Sequence, residues 1–443
     1  MDKCSVFVRF LMYDGVMQPP KDFSTLFLDM NSFFASVEQQ VRPELRGQPI
    51  GVSPYTGPSG CIIAASYEAK AMGVRICRNE QAKRLCPQIE IVEARPALYI
   101  SYHQKIKKVI ESVTPYFEVC SVDEFALKLD RCEQNEVVAR QIAAKLKKKI
   151  RDEVGDSLRC SVGVGPSKFL AKMAAERQKP DGFTIVRLNE LEDFYSKLKL
   201  TDLTGINVRM EAQLNRLGVI SPLQLFHLSA GEMTQRLKHC GRAWYFRLRG
   251  YEVDSTGSPW MDSTSSPQVD STSSPRMDLT TTKTIGHSHV LAPEFRTREG
   301  AMAILRKLIF KASYRLRAGN FLAGGLMASI SFLDHSNFHI SKKFVPFCDD
   351  ATAWEKLKYL LLDCKFESRP IHLAISFFNL SSSKASQLSI FDDLGKIAGI
   401  SKAQDKINDI YGADTVCSAS MFTSRQSAPD RIPFGKPRYE IRQ

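Results

Sequence analysis

The sequence predicts an α+β protein made of several domains. Short apolar runs at residues 26–28 and 119–122 are typical of buried strands. Apolar positions four residues apart over residues 135–154 predict a helix that ends at Gly155. Residues 279–380 then alternate strand, helix, strand, strand, helix, strand, so helices and strands are mixed along the chain.

Length, charge and cysteine usage limit the class of protein. A chain of 443 residues has room for three or four domains, and 43% hydrophobic residues suit a globular protein. The net charge of +13 favours a polyanionic partner bound through its backbone phosphates. The 11 cysteines include no C-x-x-C pair, which fits reduced cytosolic thiols better than disulfides or a structural zinc site. The apolar stretch at residues 4–18 is too short, and too interrupted by charges, to cross a membrane.

Two acidic stretches, far apart in the chain, are the strongest chemical signal. Asp29 follows the first buried run, and Asp123 and Glu124 follow the second. Desolvating three carboxylates together is costly unless cations lie between them, and such a cluster at the ends of two adjacent strands would suit a pair of Mg²⁺ ions. Two ions about 3.5–4 Å apart stabilise the attacking and leaving oxygens of a phosphoryl displacement. For either stretch alone, ordinary capping at a strand end is the alternative.

Each stretch continues into a recognisable motif. Residues 29–38 read D-M-N-S-F-F-A-S-V-E, and residues 121–124 read S-V-D-E. The pair resembles the palm motifs of the Y-family DNA polymerases, the translesion enzymes. The resemblance implies that the three acidic side chains bind two Mg²⁺ ions with one backbone carbonyl as a further ligand: Asp29, Asp123, Glu124 and the carbonyl of Met30. Asn31 stands where many members have aspartate, at a position that is not a ligand.

Phe34 falls at the position that the family uses as a steric gate. An aromatic ring packed under the sugar leaves room for a hydrogen at C2′ but not for a hydroxyl, so ribonucleotides are rejected by a clash. Judged without the resemblance, a phenylalanine beside another phenylalanine is more often part of a core.

Three residues match family positions that hold the incoming triphosphate. Residues 66–74 read S-Y-E-A-K-A-M-G-V, which implies this role for Tyr67 and Lys70. Lysine keeps the charge of the more usual arginine but loses its bidentate fork. A second motif, ending K-P-D-G, assigns Lys179 to the triphosphate and Lys172 to the charge balance of the active site. The spacing of a phosphate-binding P-loop is absent.

The resemblance covers about residues 23–380 and implies a right-hand polymerase with palm, fingers, a helical thumb and a β-α-β-β-α-β little finger. The expected domains are an N-terminal extension at 1–22, the palm at 23–32 and 96–186, the fingers at 33–95, the thumb at 187–250, a linker at 251–280, the little finger at 281–381 and a tail at 382–443. The linker repeats a unit of Ser, Thr, Pro and Asp that cannot build a core, which predicts disorder.

A short motif in the expected thumb implies contact with DNA. Gly205, Ile206 and Asn207 match a helix-hairpin-helix turn, which aims backbone N–H groups at a DNA phosphate without reading sequence. Asn207 replaces the usual second glycine, and asparagine tolerates a left-handed backbone.

A second short motif, in the tail, implies contact with a protein partner. It resembles the peptide by which bacterial polymerases dock on the sliding clamp, an extended segment whose apolar side chains fill a groove. The residues concerned are Gln387, Leu388, Ile390 and Phe391. The alternative is an exposed loop with a few hydrophobic side chains.

The resemblance implies low-fidelity, template-directed addition of deoxynucleotides to a primer past damaged bases, with release of pyrophosphate. Expected partners are primer–template DNA, deoxynucleoside triphosphates and the bacterial sliding clamp. The protein is expected to be a monomer in the cytoplasm, associated with the nucleoid and not with membranes. The alternative is a catalytically silent, polymerase-like accessory protein that binds DNA and the clamp, against which the three intact acidic residues argue.

Overall fold

The structure is a computed structural model that describes residues 19–58, 60–253, 284–382, 394–412, 415–419 and 421. Most of the expected N-terminal extension (1–22) and linker (251–280), and the whole of the expected clamp-binding peptide (387–391), lie outside these residues. The described residues fall into two compact units, one before residue 254 and one after residue 283. No helix among them is long and apolar enough to span a membrane.

The N-terminal unit contains two sheets and many helices. Its strands are β1 (Thr25–Met30), β2 (Ile50–Ser53), β3 (Ala64–Ala65), β4 (Glu90–Glu93), β5 (Phe117–Val119), β6 (Glu124–Lys128), β7 (Cys160–Gly165) and β8 (Phe183–Ile185). Its helices are α1 (Phe33–Val41), α2 (Tyr67–Ala71), α3 (Asn79–Leu85), α4 (Pro96–Glu111), α5 (Glu136–Lys149), α6 (Lys168–Arg177), α7 (Leu191–Ser196), α8 (Val208–Arg216), α9 (Pro222–His227), α10 (Ala230–Leu237) and α11 (His239–Leu248). A π-helical turn, Ile150–Val154, continues α5 to Gly155, where the sequence predicts the end of this helix.

Strand β1 lies at the centre of a five-stranded sheet with the order β5-β6-β1-β7-β8. All of its residues are buried, including the apolar run at residues 26–28 that the sequence predicts and the carboxylate of Asp29. Leu26 and Leu28 face the main core on one side of the sheet, while Phe27 packs with Ala171 and Ala175 of α6 on the other. Strand β1 pairs antiparallel with both β6 and β7, so its last residues lie beside residues from two distant parts of the chain.

Helix α6 packs unusually close to β7 because Gly163 has no side chain. A Cβ atom at this position would lie 2.0 Å from the backbone oxygen of Ala171 and 2.3 Å from the nitrogen of Ala175. The close approach places the α6 side chains directly over the end of the sheet where β1 and β6 carry their acidic residues.

The other N-terminal elements agree with the sequence expectations. Strands β2, β3 and β4 form a three-stranded sheet, and Ser66 caps α2 by accepting a hydrogen bond from the Ala69 N–H at 3.3 Å, as its place before the helix predicts. Residues 187–250, expected to be helical, contain helices α7 to α11 and two short 3-10 turns, all between Leu188 and Leu248.

The C-terminal unit confirms the predicted β-α-β-β-α-β order. Its elements are β9 (Thr284–Val290), α12 (Arg298–Ala318), β10 (Phe321–Phe332), β11 (Asn337–Phe347), α13 (Asp350–Leu360) and β12 (Pro370–Ser382). The strands form one antiparallel sheet with the order β11-β10-β12-β9, and apolar residues of both helices cover one of its faces.

A further helix, α14 (Leu394–Tyr411), lies in the region for which the sequence predicts only a tail. Arg317 donates two hydrogen bonds to Asp405, at 2.6 and 2.7 Å, and Tyr314 donates one to Asp409 at 2.8 Å. These described contacts of α14 are polar, while Ile407 and Ile410 are exposed. Apolar periodicity alone does not predict such a docked helix, because it assumes that the apolar face is the buried one.

Candidate active site

The sheet brings together the three acidic residues singled out in the sequence. Asp29, near the end of β1, lies directly opposite Glu124 at the beginning of β6. The backbone N–H of Met30 donates to the carbonyl oxygen of Asp123 at 2.9 Å. Adjacent antiparallel strands therefore place Asp29, Asp123 and Glu124 at one end of the sheet, as the two motifs predict.

The buried strand predicted at residues 119–122 is wrong, however. Strand β5 ends at Val119 and a turn follows, because the backbone N–H groups of Cys120 and Ser121 bond back to the Glu124 carbonyl. Asp123 and Glu124 therefore lie where β6 begins.

Burial makes the negative charge of this cluster costly. It raises the pKa of Asp29 to about 7, an effect that the nearby ammonium of Lys179 opposes and the carboxylate of Glu176 strengthens. Burial also raises the pKa of Asp123, although a hydrogen bond from the Ser121 hydroxyl at 2.6 Å opposes the rise. Such carboxylates ionise readily only when cations stand beside them.

Lysines supply part of that positive charge. The Nζ of Lys179 lies 2.8 Å from Asp29 Oδ1 and 2.7 Å from Glu176 Oε1. The Nζ of Lys172, the lysine to which the resemblance gives a charge-balancing role, lies 2.5 Å from Glu124 Oε1. Glu176 is a member of the site that the sequence reasoning missed, although it stands three residues before Lys179 in the same motif.

The donor set is suited to a hard divalent cation. Three carboxylates and a backbone carbonyl are the oxygen ligands that Mg²⁺ prefers. Among the described residues, however, no three His, Cys, Asp or Glu side chains already stand in an arrangement that would hold a metal. Lys179 and Lys172 hold Asp29 and Glu124 by hydrogen bonds, so these two carboxylates must exchange lysine contacts for metal contacts. The residues fit the group chemically.

Asn31 has a structural role that explains why an amide suits this position. Its Oδ1 accepts the backbone N–H of Asp181 at 2.8 Å, and its Nδ2 donates to the Ser161 hydroxyl at 3.0 Å. The side chain is 1% exposed. It therefore ties the turn that carries Lys179 to strands β1 and β7, and this use of both amide atoms is not open to an aspartate.

The residues expected to hold a triphosphate lie in one group beside the carboxylates. Lys70 donates to the Ser32 hydroxyl at 2.6 Å, and its Nζ lies 4.7 Å from the centre of the Tyr67 ring. Burial lowers the pKa of Lys70, and the positive charge of Lys179 lowers it further. Burial raises the pKa of Tyr67, so its hydroxyl keeps its proton and can donate a hydrogen bond. The structure thus brings two ammonium groups, those of Lys70 and Lys179, close to the Tyr67 phenol.

Phe34 lies in a fixed aromatic stack. Its ring is 5% exposed and stacks on Tyr99, with 4.7 Å between the ring centres. The Tyr99 hydroxyl donates to the buried Glu38 at 2.7 Å, and Glu38 also accepts hydrogen bonds from Arg42 and Arg95. The network beneath Phe34 is absent from the sequence prediction because its members are spread over the chain.

His103 is a buried residue next to the site that the sequence analysis also missed. Its Nδ1 lies 2.6 Å from the carbonyl oxygen of Val122, and its ring stacks on Phe125 with 5.1 Å between centres. Burial lowers the pKa of His103, which favours the neutral ring with Nδ1–H donating to this carbonyl. The ring therefore holds the backbone directly before Asp123 and Glu124 by a hydrogen bond.

The turn expected to bind DNA has a glycine conformation at Gly205 but an extended backbone at Asn207. Gly205 has a φ of +103°, which favours glycine, and Ile206 is buried. Asn207 is extended rather than left-handed, with a φ of −94°, and its Oδ1 accepts the Met210 N–H at 2.9 Å. Asn207 thus acts as the N-cap of α8, which places a helix N-terminus directly after the turn.

Solved structures identify the class of fold. A Y-family DNA polymerase chimera of Dbh and Dpo4 superposes with a TM-score of 0.65 at 22% identity, covering 81% of this chain and 99% of that one. This similarity confirms the predicted α+β, right-hand polymerase fold. The acidic strand ends and the surrounding lysines lie in a fold of the polymerase class.

Sequence comparisons identify the family. The model of the impB/mucB/samB family matches residues 28–176, and the model of its C-terminal domain matches residues 282–390. DNA polymerase IV of Moorella thermoacetica is 33% identical over 91% of this chain and 97% of its own length. DNA polymerase IV of Bacteroides fragilis is 30% identical over 79% and 90%, respectively. The chain belongs to this family, the Y-family DNA polymerases, and its enzyme class is DNA-directed DNA polymerase.

Proposed function

We propose that the chain copies DNA past damaged bases by nucleotidyl transfer assisted by two Mg²⁺ ions. The observation that carries the proposal is the pairing of Asp29 with Glu124 across two strands, with Asp123 bonded to the same strand end. Carboxylates from distant parts of the sequence meet there, in a cluster whose charge requires cations. Relatives named DNA polymerase IV support the substrates, primer–template DNA and deoxynucleoside triphosphates.

In this proposal Asp29, Asp123, Glu124 and the Met30 carbonyl hold the metal ions. When bound, the ions supply Lewis-acid stabilisation of the attacking and leaving oxygens. Lys179 and Lys172, which compensate the carboxylates by hydrogen bonds in the structure, are then free to turn toward other negative charge. The lysines thus lower the free-energy cost of the buried negative charge until the metal ions and the triphosphate bind.

The incoming triphosphate is proposed to lie against Tyr67, Lys70 and Lys179. Lys70 and Lys179 lower the cost of bringing a polyanion next to carboxylates, and a triphosphate relieves the repulsion between the two ammonium groups. Phe34 is proposed to reject ribonucleotides. Its stacking on Tyr99 supports this role, because a gate that discriminates by a clash must not yield.

The remaining assignments follow the family layout. We assign the palm to 23–32 and 96–186, the fingers to 33–95, the thumb to 187–250 and the little finger to 281–381. The N-terminus of α8 after Gly205–Asn207 is proposed to bind a DNA phosphate, since its first N–H groups point away from the helix. Docking of residues 387–391 on a sliding clamp, and a monomeric state, are further parts of the proposal.

Primer extension with and without Mg²⁺ tests the proposal. Asp123→Ala is expected to abolish extension, because it removes one of three carboxylates that the ions share. Asp130→Ala is the matched control, since Asp130 is an exposed acid beyond the far end of the same strand. Templates carrying a damaged base test the bypass of lesions, and ribonucleotides supplied to Phe34→Val test the gate.

Two results would contradict the proposal. Extension that persists in Asp123→Ala would exclude the assigned metal site. A wild-type chain that binds primer–template but incorporates nothing would favour the silent accessory protein, which no observation on the structure supports.

A further inference from the structure

A second positively charged site lies on the N-terminal unit, apart from the carboxylate cluster. A cavity of about 310 Å³ lies between the end of α5 and the beginning of β7. Its charged lining consists of four cations and two acids: Lys147, Lys148, Arg151, Arg159, Asp156 and Asp181.

Both acids in the lining are already paired. Asp156 accepts hydrogen bonds from Arg46 at 3.1 and 3.3 Å, and Asp181 accepts one from Lys147 at 3.0 Å. Within the described residues, neither Lys148 nor Arg159 has a carboxylate within salt-bridge distance. The cavity therefore presents uncompensated positive charge, with Lys148 on α5, Arg151 on its π-helical turn and Arg159 just before β7.

The cavity is connected to the strands of the candidate active site. The carbonyl oxygen of Arg159 accepts the backbone N–H of Asn31 at 2.8 Å. Lys147 donates to the carbonyl oxygens of Asp181 and Gly182, at 2.5 and 2.9 Å, and so holds the turn that follows Lys179. An anion in the cavity would compete with Asp181 for Lys147 and would thereby weaken the contact that holds the turn after Lys179.

We propose that this cavity is a binding site for a diphosphate group. Guanidinium groups bind phosphate oxygens through parallel hydrogen bonds, and an ammonium adds a point charge that needs no fixed orientation. A volume near the lower end of the range for small-molecule sites favours a compact anion over a polymer. The group comes either from free pyrophosphate or from a nucleoside diphosphate, since both present the same charged moiety.

Calorimetric titration of the full chain tests the site. The protein used throughout carries both Lys70→Gln and Lys179→Gln, which removes the two lysines proposed to hold the triphosphate. Divalent metals are left out of the buffer. Pyrophosphate and adenosine diphosphate are titrated separately. One site is expected, and adding Lys148→Gln and Arg159→Gln is expected to weaken it by at least about tenfold through the loss of charge-assisted hydrogen bonds.

The control and the opposing outcomes are defined by neighbouring residues. Lys145→Gln, an exposed lysine on α5 outside the cavity, is expected to leave the affinity unchanged. Arg159→Lys keeps the charge without the fork and is expected to weaken binding partially, which covers the case in which the double variant fails to fold. Equal affinities for the two probes identify the diphosphate alone as the ligand, and tighter nucleotide binding identifies a nucleotide. Absence of binding, or binding that survives Lys148→Gln and Arg159→Gln, overturns the proposal.

Discussion

At the scale of residues, the candidate site is a set of charges that compensate one another. Asp29 and Glu124 each accept a hydrogen bond from a lysine, and Lys179 is shared between Asp29 and Glu176. Sequence motifs predicted the acids and lysines because their spacing within each motif is local. They could not predict which lysine pairs with which acid, because that depends on how two distant strands and a helix pack.

His103 gives a prediction about metal use. His103→Leu removes the donor to the Val122 carbonyl and leaves a buried backbone oxygen unsatisfied, which is expected to cost about 1–3 kcal/mol. Since the same carbonyl precedes Asp123, we expect a higher Mg²⁺ concentration for half-maximal primer extension. Urea unfolding and a Mg²⁺ titration of activity measure the two effects. His103→Asn, which keeps a hydrogen-bond donor, is the comparison. If His103→Leu lowers the stability but leaves the Mg²⁺ midpoint unchanged, His103 has only a packing role.

Glu38 gives a prediction about pH. Burial by itself raises the pKa of Glu38, but hydrogen bonds from Arg95, Tyr99 and Arg42 together hold it below the ordinary value of 4.5. The folded state therefore binds fewer protons than the unfolded state around its lowered pKa. The resulting stabilisation is complete above pH 4.5 and is lost as the pH falls through the folded value.

Glu38→Gln is expected to remove this part of the pH dependence. The free energy of unfolding should be lower near neutral pH, because Arg95 loses a charged partner, and should fall less steeply on acidification. Urea unfolding at several pH values below about 6 measures both effects. Glu44→Gln, at an exposed position on the following turn, is the control. Parallel pH profiles of Glu38→Gln and the wild type would contradict the assignment.

At the scale of elements, helix α6 places a lysine and a glutamate beside the acidic residues of β1 and β6. It carries Lys172 and Glu176, and Lys179 follows it in the next turn. Its position is set by the contact with β7 at Gly163, where backbone meets backbone without an intervening side chain. The sequence predicted the strand and the helix separately, but only the packing shows that a glycine fixes the distance between them.

Gly163→Ala is expected to destabilise the protein by about 1–3 kcal/mol or more, because the new methyl group meets backbone atoms that cannot turn away. Displacement of α6 should also weaken primer extension by moving Lys172 and Lys179. Gly231→Ala in α10 is the matched control, since no atom lies within 4 Å of its added Cβ and alanine favours a helix. Urea unfolding measures the difference, and equal stabilities of the two variants would argue against a tight contact.

At the scale of the whole molecule, each compact unit has a core of its own. The buried residues of the C-terminal unit form one cluster on its sheet and helices, separate from the clusters of the N-terminal unit. Helix α14 belongs to the C-terminal unit through Arg317, whose side chain is 6% exposed and pairs with Asp405. Removing one partner of a buried ion pair of this kind lowers the stability of the fold, because the remaining charge loses its compensation.

A fragment of residues 281–421 is therefore expected to fold alone with a single cooperative unfolding transition. A shorter fragment that ends at residue 382 lacks Asp405 and should be less stable by about 1.5–3 kcal/mol, because Arg317 loses two charge-assisted hydrogen bonds and keeps, among the described residues, only Asp350, 4.0 Å away, as a charged neighbour. Urea unfolding followed by circular dichroism compares the two. Equal midpoints would show that α14 does not contribute to this unit.

The sequence by itself determined the fold class, the β-α-β-β-α-β order and the acidic motifs. These depend on apolar periodicity and on spacings within short segments, which the chain states directly. Only the tertiary structure decided the pairing of Asp29 with Glu124, the use of Asn31 to hold the turn at Asp181, and the contact of α14 with Arg317 through Asp405. Those contacts join residues that are distant in the chain, and their free energy comes from burial and charge pairing that exist only after the strands and helices have packed.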